Sequence, residues 1–373
     1  MLLQVSIPST EIDLIPNFHN RRGFLAGLLA TSLVPHPTWA DAGSPSYLSA
    51  AALPNGSYVL CGIGADLNVV FQIPLPERGH AATAHPTRPE AVAFARRPGT
   101  FAIVIDCMSG TSKARLTAPQ GRHFYGHGTF SQDGNWLFTT ENDYEAGQGR
   151  IGVWDVVAGY KRTAEFPSGG IGSHDIKRLP DTDILVVANG GIDTHPDTGR
   201  TKLNIPMMRS NLSYINDGKI IEVAELTPDL RKNSIRHIAV SKTGQVAFGM
   251  QWQGDTEATA LVGTHRRGEA PVILGIPKNR VRDMQGYIGS IAFGADNTTI
   301  ATTSPRGGMV HLFDEQSGKF LKSHKATDAS GVAPSETSFV ITSGLGVIRN
   351  IDNPKRYHEL DLRFAWDNHL VSV

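Results

Sequence analysis

Apolar and polar positions alternate along this chain in short runs. Each run is bounded by Gly, Pro, Asn or Asp, and no stretch keeps a helical heptad. Side chains of a strand point alternately to its two faces, so this pattern predicts strands, and the punctuating residues predict tight turns between them. The runs also repeat. "HGTFSQDGNWLFTTEN" (127–142) aligns with "HDIKRLPDTDILVVAN" (174–189), "HIAVSKTGQVAFGMQ" (237–251) and "SIAFGADNTTIATTS" (290–304). Weaker copies are "AVAFARRPGTFAIVI" (91–105) and "GVAPSETSFVITSG" (331–344). Each copy reads as strand, polar turn, second strand. A third strand follows in "GRIGVWDVVAG" (149–159) and "GGMVHLFDEQSG" (307–318). The Trp154-Asp155 and Phe313-Asp314 pairs there resemble the strand-ending Trp-Asp of WD-type blades.

The segment "YLSAAALPNGSYVLCGIGADLNVVFQIPL" (47–75) is a seventh unit, and the C-terminal "LRFAWDNHLVSV" supplies a last strand that helps to close a ring. Such repetition predicts an all-β fold: a single β-propeller of seven four-stranded blades over residues 45–373. A long excursion, "GGIDTHPDTGRTKLNIPMMRSNL" (190–212), interrupts the fourth repeat and reads as a lid over one face.

The first forty residues do not share the pattern. An Arg21-Arg22 pair is followed by Phe24-Leu25, an apolar stretch to Val34, and small residues around Thr38-Trp39-Ala40. This segment, 1–40, resembles a cleaved twin-arginine (Tat) export signal, although Asn20 and Ala26 replace the usual Ser/Thr and Lys. It implies periplasmic localisation of an already folded protein. The apolar run is too short to span a bilayer, so no membrane span is expected after signal removal.

Charge narrows the partners further. With 35 basic and 35 acidic residues the chain is formally neutral, which gives no footprint for nucleic acid. Two cysteines, Cys61 and Cys107, fall in apparent second strands of neighbouring repeats, and both a bridge and two buried thiols fit that placement. No CxxC or CxxCH is present, so covalent haem attachment is not expected.

The chemistry concentrates in histidine. His127, His174 and His237 open the inner strand in three successive repeats, whereas Ser290, Gly331 and Ala91 hold that position elsewhere. Equivalent positions in a propeller share a direction, so the three imidazoles are candidate ligands for one transition metal: iron, copper or zinc. Asp175, Asn142 and Asn189 lie near the same face and could orient the rings. His85 and Arg88 read as preceding the second inner strand, His123 precedes the third, and Arg306 follows a second strand. These are candidate ligand-binding residues. Asp193, His195 and Asp197 in the excursion read as turn chemistry, and Met207-Met208 as an apolar plug. No G-x-S-x-G or phosphate loop is present, and nothing assigns an acid, base or nucleophile.

On "GHGTFSQDGNWLFTTEND", "GSHDIKRLPDTDILVVANGGIDTHPDTGRTKLN" and "MQGYIGSIAF", the whole mature chain resembles the bacterial, Tat-exported family called domain of unknown function 1513, itself similar to YVTN/WD-type propellers. The family's name carries no activity. The resemblance implies a setting in periplasmic metal physiology, near iron uptake. The expected function is a propeller that binds a metal ion or metal-bearing ligand at a histidine-rich channel mouth. Two alternatives stand beside it: a scaffold for a periplasmic partner protein, and a metal-dependent redox enzyme or hydrolase. A fold alone does not choose among them.

Overall fold

The computed structural model describes residues 37–96, 99–199, 201–352 and 363–373, with the backbone of 357–358. The twin-arginine pair and its apolar run lie outside the described residues. Trp39–Ala42 forms a 3-10 turn, and Trp39 donates its indole N–H to the His85 carbonyl at 2.9 Å.

Seven antiparallel sheets follow one another in the chain, arranged as the blades of a propeller. Blades 2 to 7 each take four consecutive strands, and their innermost strands are Gly79–Ala84, Arg122–Phe130, Ser173–Arg178, Asn233–Val240, Ser290–Phe293 and Ala329–Pro334. Blade 1 is built from both ends of the chain. Its outer three strands are Tyr47–Ala52, Tyr58–Ile63 and Val69–Leu75, and its inner edge is the C-terminal segment. Ala365–Trp366 pairs with Ala51 and Ala52, and Val371–Ser372 pairs with Tyr47 and Leu48. The last residues thus close the ring.

Burial explains why the repeat has its composition. The first three strands of a blade are packed on both faces and read as near-continuous apolar runs, such as Phe101–Asp106. The fourth strand alternates, as in Lys161–Pro167. The cores lie between blades. Trp154 packs with Val92, Phe94 and Phe124 across the junction of blades 2 and 3, and its N–H donates to Thr139 Oγ1 at 2.9 Å. Each such buried apolar side chain contributes about 1.5–3 kcal/mol relative to exposure.

Two sequence readings need correction. In blade 2 the "AVAFA" and "FAIVI" runs are the second and third strands, so Ala91 pairs with Ile105 and does not line the channel. The inner strand is Gly79–Ala84, seven or more residues upstream of Ala91 by position. Cys61 lies in the third strand of blade 1 and Cys107 just after the third strand of blade 2. Both are free and buried, and burial pushes each thiol up to about 12, so neither is poised as a thiolate.

A local irregularity recurs in the inner strands. The register with the second strand shifts at Gly79/Ala82, Phe124/Gly128, Ser173/Asp175, Ile235/His237 and Ala329/Val332. The C-terminal strand breaks likewise between Trp366 and Val371. A bulge leaves residues outside the ladder and re-aims their side chains. Four of these bulges carry a histidine at or beside the shift, and the C-terminal break contains His369.

Candidate metal centre

Five imidazoles converge where the bulges face one another: His80, His127, His174, His237 and His369, one from each of blades 1 to 5. Ring centroids lie 4.7 Å apart for His80–His369 and His127–His369, 4.8 Å for His174–His237, and 5.0 Å for His127–His174. Two triads, His80–His127–His174 and His127–His237–His369, each bring one ligand atom per ring within 4.8 Å of the others. Ligands on a tetrahedral zinc with 2.1 Å bonds stand about 3.4 Å apart, so a modest inward rotation of the rings would close either triad on an ion.

The sequence "YGHG" around His127 is shaped for this crowding. Gly126 adopts φ of +100°, and a Cβ there would lie 2.6 Å from the His80 ring. A Cβ at Gly128 would meet the Phe94 ring at 2.6 Å and the Phe138 carbonyl at 2.8 Å. The two glycines let the strand bulge inward while its neighbours stay packed.

The electrostatics favour neutral rings with available lone pairs. His127 Nδ1 lies 3.1 Å from Asp175 Oδ1. Asp175 also accepts backbone N–H groups from Ile176 at 2.8 Å and Ile238 at 3.0 Å. That contact fixes the proton on His127 Nδ1 and leaves Nε2 without a protein partner. Nδ1 of His80, His174 and His237 and Nε2 of His369 are also without hydrogen-bond partners in the protein. Burial lowers the pKa of His127, although Asp175 opposes the shift. Burial likewise holds His174, His237 and His369 well below the ordinary histidine value, reinforced by Arg236 beside His174 and by neighbouring rings around the other two. Burial opposes ionisation of Asp175, yet Lys177 and His127 outweigh it and keep the carboxylate charged. On the other side, Asp367 accepts from Arg78 Nε at 3.0 Å and stands 3.9 Å from His80 Nδ1.

The residues named from sequence divide into groups. His127, His174 and His237 are in the cluster, all at bulges: His127 and His237 lie inside their strands and His174 is the second residue of its own. His127 and His237 are each 3% exposed, so the cluster sits within the channel and not at an open mouth. Asp175 touches His127. The other ligand-binding candidates stand apart. His123 bonds the Phe124 carbonyl and Asn142, and Asn142 also donates to the Thr194 carbonyl at 3.1 Å. Asn189 is spent on Ser168, Asn211 and Ser213. Arg306 is exposed and lies over the Tyr287 ring at 4.5 Å. His85 and Arg88 follow the inner strand of blade 2 rather than precede it, and so sit at the opposite face from His123. There His85 Nε2 bonds the Gly134 carbonyl at 3.1 Å while Nδ1 accepts from the Thr87 and Arg88 N–H groups. Burial and Arg88 push His85 down to about 4.

Sequence reasoning brought neither His80 nor His369 into the cluster. Aligning "HAATAHPTRPEAVAFA" from His80, instead of the apolar runs after it, superposes His80 on His127. The excursion leaves blade 4 after Asn189 and returns at Asn211. It is tied to the strand-entrance face by Gly190 N–H to the Gly172 carbonyl and Gly191 N–H to the Ile171 carbonyl, both 2.8 Å. Within it, His195 accepts from the Asp197 N–H, while Met208 is buried and Met207 is 80% exposed, so only Met208 serves as a plug.

The remaining channel is a cavity of about 500 Å³ running from the cluster to the face where the strand turns lie. Asp175, His237 and His369 form part of its lining, with Ser131, Lys242 and Pro334 toward the turns.

A family model described as protein of unknown function, DUF1513, matches residues 73–373. The chain belongs to the DUF1513 family. The match spans the inner strands of blades 2 to 7 and the C-terminal strand, and so includes all five histidines. No curated protein matches this DUF1513 chain. Among solved structures, a chain of Kuenenia stuttgartiensis hydrazine synthase is similar over 85% of this chain and 96% of its own, with a TM-score of 0.58 and 13% identity. At that identity the likeness shows the propeller fold alone. No helix among the described residues is long and apolar enough to cross a membrane.

Proposed function

We infer that this DUF1513 protein binds one transition-metal ion through the imidazoles inside its channel, and that it does so after folding and Tat export to the periplasm. The observation that carries the reading is the convergence of five buried or half-buried rings, four of which, His127, His174, His237 and His369, keep a nitrogen without a protein partner. An unpartnered polar atom in a protein interior costs about 1–3 kcal/mol, so a sequence that gathers four without a ligand would be destabilised for no return. Imidazole donors suit zinc, copper, iron and nickel and do not suit magnesium or calcium. The site holds one ion and not two, because His127 belongs to both triads and offers only Nε2 once Nδ1 is held by Asp175.

The test is elemental analysis of protein from its native compartment, followed by titration of the metal-stripped protein with Zn(II), Cu(II), Fe(II) and Co(II). One equivalent per chain, with a rise in the unfolding temperature, is expected. Binding below half an equivalent for every one of these ions would sink the reading.

A further inference from the structure

We propose that the channel beneath the cluster admits a small oxygen-donor anion, a carboxylate or an inorganic oxyanion, as an exogenous ligand to the bound ion. This rests on the metal-binding reading and adds what the ion meets. Two members of the His127–His237–His369 triad, His237 and His369, line the 500 Å³ cavity directly. An ion held by that triad therefore presents an open coordination position to the cavity, the arrangement of sites that take an exogenous ligand rather than of closed structural sites.

Five inner strands contribute Ala82, Gly128, Ala239, Ala292 and Ala333 to its lining. Its charge is positive in excess. Lys177, Arg178 and Lys242 line it, and among the described residues of the lining the one carboxylate is Asp175, which pairs with Lys177 Nζ at 3.7 Å as well as with His127 and two backbone N–H groups, so Arg178 and Lys242 remain in excess. Arg178 and Lys242 donate to the neutral carbonyls of Thr182 and Ala295, so their charges are left uncompensated by those contacts. A low-dielectric tube with one sign of charge in excess concentrates ions of the opposite sign. The cationic walls and the divalent ion at the inner end favour an anion and disfavour a second free cation. The volume accommodates ligands from formate up to a tricarboxylate.

The experiment uses the full mature protein loaded with one equivalent of Co(II), whose visible bands report a change of ligand. Formate, citrate and phosphate are titrated separately, with acetamide as the neutral control. Saturable spectral changes with at least one anion, none with acetamide, and weakening of that affinity by about tenfold in Arg178→Gln/Lys242→Gln are expected. Lys242→Gln alone, at an exposed position, gives a smaller weakening and guards against a misfolded double variant. A Co(II) spectrum unmoved by all three anions at roughly 100 mM, a concentration far above the millimolar affinities typical of weak ligands, overturns the proposal while metal binding stands. An equal response to acetamide also overturns it. Failure to take up Co(II) or any other ion overturns the metal reading itself.

Discussion

Blades 1 to 5 and blades 6 and 7 share a fold but not a content. In the first group the inner strands place His369, His80, His127, His174 and His237 into the channel. In the second, Ser290 and Gly331 stand at the corresponding depth. The backbone is not the cause, because blade 7 carries the same register shift, at Ala329/Val332, with no imidazole on it. Nor does ring stability demand histidine there. Gly331 and Ser290 close their sector with ordinary contacts, such as Thr342 Oγ1 accepting the Gly331 N–H at 3.1 Å. A bulge therefore occurs without histidine in blade 7, the inner strand of blade 6 pairs with no shift at all, and the histidines are an addition to one side of the ring. Under the metal-binding reading, that asymmetry would place an ion off the ring axis, toward blades 1 to 5, with Ser290 on the far wall of the cavity.

The strongest way to break the comparison is to remove imidazoles. His127→Ala with His237→Ala takes two donors from the cavity-side triad, and metal affinity should fall by roughly three orders of magnitude or more, measured by competition with a chromophoric chelator. Circular dichroism should show the propeller intact, because the satisfied bond that goes with His127 leaves Asp175 its two backbone N–H donors and Lys177. Affinity within tenfold of the parent would show that the five rings are not acting together.

A smaller loss is expected from Asp175→Asn. Oδ1 of Asp175 faces both the Ile176 N–H and His127 Nδ1, and Oδ2 accepts from the Ile238 N–H, so an amide sets its own N–H against a donor in either orientation. The charge that holds the proton on His127 Nδ1 is lost with it, and the ring is no longer fixed in the tautomer that frees Nε2. Metal affinity should drop about 10–100-fold with stoichiometry still near one. Asp175→Glu should not restore it if the position of the carboxylate, and not its charge alone, sets the tautomer.

How far was this visible beforehand? The seven blades were legible because alternation and turn residues are local signals that each blade repeats. Three of the five histidines were legible because their repeats begin with them. His80 was hidden by composition: "GHAATA" has little β-branched or aromatic content, so the apolar "AVAFA" and "FAIVI" runs drew the alignment one strand outward. His369 was hidden by topology, since only the pairing of residues 365–372 with 47–52 brings the chain's end to the channel. The bulges leave no mark in the hydrophobic pattern, which is why the histidines read as strand entrances and the cluster as a mouth.

Acid should act on the metal-free protein through the same buried rings. Imidazoles whose folded pKa lies below the ordinary 6.5 take up protons more readily in the unfolded chain. Stability therefore rises with pH across that gap, is complete above about pH 6.5, and is lost as pH falls from there through about 4, where burial has pushed His85 and His311. His174, His237 and His369 shift in the same direction and add to the loss. Asp367, lowered from 3.8 to about 2, contributes fully above about pH 4 and loses that contribution only as pH falls toward 2, so the two effects separate in a plot of unfolding temperature against pH. An unfolding temperature flat from pH 7 to 4.5 would contradict the buried, neutral state of the rings.

The mildest changes lie on the other side of the ring. At Gly331 an added Cβ would stand 2.6 Å from Thr342 Oγ1 and 2.8 Å from the Leu370 nitrogen, next to His369. Gly331→Ala should cost about 1–3 kcal/mol of stability through this overpacking. Ser290→Ala should do least of all. The hydroxyl accepts only a long bond, 3.4 Å from the Val332 N–H, and deleting it should change stability by about 0.5 kcal/mol or less. Metal affinity and stoichiometry should match the parent, because no ring nitrogen or orienting carboxylate is disturbed. Ser290 is therefore the control that gives the histidine variants their meaning. If Ser290→Ala weakened metal binding as much as the loss of an imidazole, the ion would have to lie near the ring axis, ligated from both sectors, and the division between blades 1 to 5 and blades 6 and 7 would be one of packing and not of chemistry.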